Sequence, residues 1–143
     1  MTKFKEWCVE SEVSIASHKI NLLAVEPAKA PNAIKLLANS VPEYYAAPVR
    51  VASLLRRLGK GAAAKYIEEK MPTKSNIQSG DLAEILCTAY VHETTLYTQG
   101  INRLRWKDHR NMSMRGEDVL AFNLNTRNGR LNVLKAEVKS RAN

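Results

Sequence analysis

Cysteine is scarce in this chain, and its placement excludes two classes at once. Cys8 and Cys87 are the only two, and neither has a second Cys or a His at ligand spacing. That argues against a zinc finger and against a disulfide framework. They read as ordinary free thiols of a reducing compartment. Long apolar runs are missing as well: nothing approaches the roughly 18 residues of a membrane span. The opening MTKFKEWCVESE has charges where a signal peptide needs its apolar region. No internal repeat or low-complexity segment appears. These absences point to a soluble cytoplasmic protein with no membrane association.

Acidic residues are also in the minority, 14 Asp plus Glu against 22 Lys plus Arg, a net +8. A positive excess of this size favours polyanion partners, nucleic acid first. The basic residues thicken toward the C-terminal half, from Arg103, Arg105, Lys107, Arg110 and Arg115 on to Arg141. What is plentiful is apolar side chain: 45% of 143 residues, enough for a sizeable core.

Along the chain, VSIASHKINLLAV (13–25) reads as one strand or two short ones. Asn32 is placed to cap a short helix ending near Asn39. Ser40 and Glu43 have capping-box spacing for the next helix, with Pro42 in its first turn and Pro48 kinking or splitting it. Val51, Leu54, Leu55 and Leu58 form a helical stripe that Gly59 and Gly61 stop. A further helix, AAAKYIEEKM, ends before Pro72. PTKSNIQSG reads as a polar linker, and Ser79 as the cap of GDLAEILCTAYVHETTLY, with Asp81 in its first turn. Its apolar face is Leu82, Ile85, Leu86, Ala89 and Leu96. INRLRW, DVLAFNLN and RLNVLKAEVKS then read as three strands, and Asn128–Gly129 as a tight hairpin turn.

Strand side chains alternate faces. Leu134, Ala136 and Val138 therefore point toward a core, and Lys135, Glu137 and Lys139 point the other way. The hairpin folds the start of one strand onto the end of the next, so Asp118 and Glu137 converge. Two convergent carboxylates and a lysine suit metal-assisted phosphodiester hydrolysis. Carboxylates bind Mg²⁺ through hard oxygen ligands. The ion polarises the phosphate and acidifies its bound water, and a lysine offsets charge in the transition state. The bland alternative is a solvated cross-strand ion pair.

Asp118 followed by Glu137-Val138-Lys139, after a helix carrying Glu84, resembles the PD-(D/E)XK nuclease core. More narrowly, GDLAEILCTAYV, MRGEDVLAF and AEVKS are similar to the HamA family of the Hachiman antiphage defence system, over residues 79–141. The resemblance implies a DNA-cleaving subunit beside a helicase partner, HamB. Asp118 and Glu137 map to the ligands of Mg²⁺ (or Mn²⁺), and Lys139 to the catalytic lysine. Glu84 maps to a helix acid near the metal, although it lies roughly 145° from the apolar stripe. Its alternative is an exposed first-turn acid. Glu117, one residue off, should face away from Asp118.

The fold expected is α/β: a helical N-terminal region (1–78) on a restriction-endonuclease-like core with a mixed sheet (79–143). That core is expected to be incomplete, because the family normally continues past the catalytic strand. An uncovered sheet is a pairing hazard, so the helicase subunit or a homo-oligomer is expected to cover it. The function expected is a Mg²⁺-dependent deoxyribonuclease, active in complex or once the chain is completed. The rival is a noncatalytic helicase-binding scaffold. Lys107, Arg110 and Arg115, in the loop before Asp118, are the expected DNA contacts. His18, His92 and His109 do not cluster, and His109 alone lies in that loop. Trp106 and Tyr97 read as buried aromatics ahead of base-stacking ones. Met112 and Met114 read as core fillers or a partner surface.

Overall fold

The computed structural model describes residues 4–141. The order is α1 (Phe4–Trp7), β1 (Cys8–Ile15), β2 (His18–Val25), α2 (Ala30–Tyr45), α3 (Pro48–Lys70), α4 (Ser75–Thr94), β3 (Gln99–Gly100), β4 (Val119–Asn125) and β5 (Arg130–Ala136). Short 3-10 turns lie at Pro27–Lys29 and Arg103–Trp106. The class is α/β, as expected. Strands β1 and β2 form one sheet, and β3, β4 and β5 a second. Every pairing among the described strands is antiparallel, which corrects the expected mixed sheet. A parallel neighbour needs a crossover of a dozen or more residues, and tight hairpin turns do not supply one. The described residues form a hairpin on one central helix rather than a complete restriction-endonuclease core. Among them, no helix is long and apolar enough to cross a membrane.

Helix α4 is the centre. Ala89 packs with Phe4, Trp7 and Ala33, and Ile85 packs with Tyr45 and Leu104. On another side α4 meets β4, whose Val119 and Ala121 are fully buried. A helix covered on several sides carries core residues all round, which is why one apolar stripe undercounts it. A buried polar network ties it down further. Lys107 Nζ donates to both Asp81 oxygens at 2.9 and 2.7 Å, and the Tyr45 hydroxyl donates to Asp81 Oδ2 at 2.8 Å. Burial, with the Asp81 hydrogen bond, holds the Tyr45 phenol far above its usual range, so it stays a donor.

Several local expectations are overturned by distant contacts. Helix α2 runs through Asn39 to Tyr45 with Pro42 inside it, and the Ser40 hydroxyl donates back to Leu37 O rather than capping. The helix splits at Pro48, as expected, and Pro48 starts α3, where its missing N–H costs nothing. Gly59 does break α3, with φ 82° and ψ 177°. The linker 72–80 is largely helix, because α4 begins at Ser75. Asn111 Oδ1 accepts from the Thr73 and Lys74 N–H groups and so holds that start from 37 residues away. Asp81 therefore sits inside the helix, and exposed Leu82 and Leu96 fall outside the core. INRLRW is not a strand: β3 is only Gln99–Gly100, and Arg103–Trp106 winds into a 3-10 turn. Leu104 inserts beside Tyr45 and Ile85 at 2% exposure, and the Arg105 guanidinium donates twice to Glu43 O.

In the β4–β5 hairpin, Val119↔Ala136 and Ala121↔Leu134 face α4, whereas Phe122↔Val133 and Leu124↔Leu131 face outward. Leu134, Ala136 and Val138 are half-buried, as expected of core-facing positions. The open apolar surface is the opposite face, with Leu124, Leu131 and Val133 exposed.

Candidate functional site

The ladder of β4 and β5 ends at Val119↔Ala136. One step beyond it lie Asp118 and Glu137, so the register brings the two carboxylate-bearing residues to the same end of the hairpin. Asp118 reaches across: its Oδ2 accepts from the Val138 N–H at 2.7 Å. That bond continues the pairing by side chain where backbone pairing stops. Ser79 and Ser140 share a hydroxyl–hydroxyl bond of 2.5 Å, which joins α4 to the segment after the strand. Gly116, with φ +91°, supplies the left-handed turn that starts this loop. Gly116, Asp118, Lys135, Ala136 and Glu137 line an open cleft of about 490 Å³.

Glu84 enters from α4. It lies mid-helix and half-buried, so it is not an exposed first-turn acid. Burial pushes its carboxyl up to about 7, and the neighbouring Asp118 and Asp81 charges push the same way against Arg103 and Lys107. Cys87, one turn on, is raised by burial and by the fields of Asp118 and Glu84. Both side chains thus lie within the field of the Asp118 carboxylate. Glu137 and Lys139 are exposed and pair with each other. That hydrogen bond holds Glu137 below the usual carboxylate range and Lys139 above its usual one. Glu117 pairs with Lys135 in solvent. Among the described residues, no three His, Cys, Asp or Glu side chains stand close enough to hold a metal ion as arranged.

The loop residues separate. Lys107 is corrected: its ammonium is 2% exposed and spent on Asp81, so it cannot reach a phosphate. Arg115 is exposed, and half-buried Arg110 donates to Glu68 O at 3.2 Å. Trp106 is also corrected, because it stands out into solvent at 73% exposure. Met112 is exposed, so it does not fill the core. Local reading counted Arg103 only among the basic residues and missed its role. Arg103 Nη2 donates to Arg115 O at 2.7 Å and so holds the loop leading to Asp118. Its Nη1 is buried without a hydrogen-bond partner. No local spacing marks it, since its partners are 12 or more residues away.

With the cleft described, comparison adds one positive finding. The family model described as HamA matches residues 2–143. A search of curated proteins finds no match.

Proposed function

The chain belongs to the HamA family and is thereby a component of the Hachiman antiphage system, and we propose that within it the chain is a metal-dependent DNA endonuclease subunit working beside a helicase. The carrying observation is the register: Val119↔Ala136 brings Asp118 and Glu137 to one end of the hairpin, with Glu84 of α4 in Asp118's field. The donors fit a hard divalent ion, since all are carboxylate oxygens. Asp118 adds a like charge to the burial that raises Glu84, and Arg103 and Lys107 offset the two only in part.

In this reading Asp118 and Glu137 would hold Mg²⁺ or Mn²⁺, with Glu84 beside them. When bound, such an ion polarises a scissile phosphate and acidifies a water. Lys139, released from Glu137, would neutralise charge on the phosphoryl oxygens. Val138 N–H orients the Asp118 carboxylate and leaves its other oxygen for a ligand. Arg110 and Arg115 would contact the DNA backbone without reading sequence. The rival, a noncatalytic helicase-binding module, draws on the Glu137–Lys139 pair, which ties both groups up in solvent.

Two measurements separate them. In an active assembly, Glu137→Ala or Lys139→Ala abolishes Mg²⁺-dependent plasmid degradation. Both side chains are exposed, so the melting temperature should hardly move. Calorimetry with Mn²⁺ should give a binding isotherm that Asp118→Ala removes. Cleavage that survives the double substitution, or an absent isotherm, favours the scaffold.

A further inference from the structure

We infer that Trp106 and the recess beside it bind an unpaired nucleobase, so that the DNA is single-stranded or locally melted where it meets this loop. The inference rests on the DNA reading above and deepens it by naming the state of the strand.

Two tryptophans occur in the chain, and they sit in opposite environments. Trp7 is 5% exposed and packs on Phe4 with ring centroids 4.9 Å apart. Trp106 is 73% exposed. An indole is among the most costly side chains to leave in water, because its apolar area is large. Nor is Trp106 on a loose tip. Two residues before it, Leu104 is buried in the core; directly after it, Lys107 is locked to Asp81 inside the protein. The loop that follows is pinned as well, by Arg110 on Glu68 O and by Asn111 on Thr73. A fixed aromatic surface loses little freedom when a ligand stacks on it.

The ground beside the indole suits a base and its phosphate. Trp106, His109, Met112, Met114 and Arg115 line an open recess of about 490 Å³. Thioethers and an indole offer polarizable surface to a π-face. Arg115 is exposed and gives its backbone carbonyl, not its guanidinium, to Arg103. The recess and the carboxylate cleft meet at the Arg115–Gly116 bond. In a duplex, base faces are covered by their neighbours, so an indole reaches one only where the strand is unstacked. Sequence-tolerant single-strand binders combine these same two parts, aromatic faces and a cationic track.

The two tryptophans make a direct test possible, since Trp7 is shielded and Trp106 is not. The full chain is titrated in EDTA with single-stranded oligothymidylate and with a duplex of equal length, following tryptophan emission and anisotropy. Single strand should quench the exposed emission. Trp106→Ala should weaken single-strand binding about 5- to 150-fold, the usual alanine cost of one stacked base. Trp106→Phe, which keeps a ring, should recover most of that loss, and duplex affinity should change far less. No quenching, no single-strand binding, or an equal loss on duplex overturns the inference, as does quenching only by phosphatidylserine vesicles. Cleavage plays no part in the readout, so failure here leaves the metal-site reading standing. An inactive but quenchable protein does the reverse.

Discussion

Hairpin β1–β2 has eight residues in each strand and hairpin β4–β5 has seven. Both are rich in apolar side chains, and both are antiparallel. Yet β4–β5 buries Val119 and Ala121 against α4, whereas β1–β2 buries almost nothing. Register puts Val9, Val13, Ile15, Ile20 and Leu22 on one face of β1–β2, and all are exposed. A two-stranded hairpin is marginal on its own. This one is tethered at its base, through Cys8 beside the Phe4–Trp7 cluster and the Tyr90 hydroxyl on Glu10. Its turn even carries Ala16 at φ 54°, a left-handed conformation that favours glycine. The candidate site lies at the end of the anchored hairpin. A cleft that must hold side chains to fractions of an ångström needs a supported strand, and apolar content alone cannot tell which hairpin has one.

Removing the buried ion pair that fixes the loop before β4 to α4 should have the largest effect. Lys107 follows Trp106 and fixes its segment to α4 through Asp81. Lys107→Ala leaves the buried Asp81 carboxylate without its counter-ion, the Tyr45 hydroxyl still donating to it, which costs about 3–5 kcal/mol. Thermal unfolding should drop sharply or fold be lost, whereas a surface DNA contact at Lys107 would leave the melting curve unchanged and lower only affinity. Urea denaturation of the variant, run alongside Arg115→Ala as the surface control, distinguishes these outcomes.

Glu84 probes the anchored side from the helix, because the charge of Asp118 at the end of β4–β5 adds to the burial that raises its carboxyl. Its folded value of about 7 lies above the ordinary 4.5. Stability from this group is thus fully present below about pH 4.5 and is lost as pH rises through 7. Glu84→Gln removes that loss. The variant should match the parent at pH 4 and exceed it at pH 8 by about 1–2 kcal/mol, a figure already reduced for the exposed part of the side chain. Melting temperatures across pH 4–8 without divalent ions read this directly. A variant less stable than the parent at pH 8 would mean that ionised Glu84 has a stabilising partner.

What could be seen in the sequence was what neighbours in sequence decide. Asn128–Gly129 marks a turn by itself, and register then follows, so Asp118 and Glu137 could be brought together before any coordinates. Gly59 as a break and Leu134, Ala136 and Val138 as inward positions followed from the same local rules. The misses each have a remote cause. The start of α4 depends on Asn111, the fate of Lys107 on Asp81 26 residues away, and the winding of INRLRW on a hole between Tyr45 and Ile85. Glu84 could not be placed because its side of the helix looked uncovered, and the packing of β4 on α4 is set only in three dimensions.

The smallest effect tests whether both hairpins are alike where neither is covered. Val13 is 41% exposed on β1 and Val133 is 48% exposed on the outer face of β5. Neither packs on α4. Threonine keeps the β-branched shape that strands favour, and a half-exposed hydroxyl finds water. Val13→Thr and Val133→Thr should therefore each shift stability by no more than about 0.5 kcal/mol, even though one strand is anchored and the other is not. The anchoring then belongs to one face of β4–β5 and not to the hairpin as a whole. Paired chemical denaturation of the two variants measures it. A loss well above 1 kcal/mol at Val13 alone, growing with protein concentration, would reveal a second copy seated on the β1–β2 face and would end its description as the unsupported hairpin.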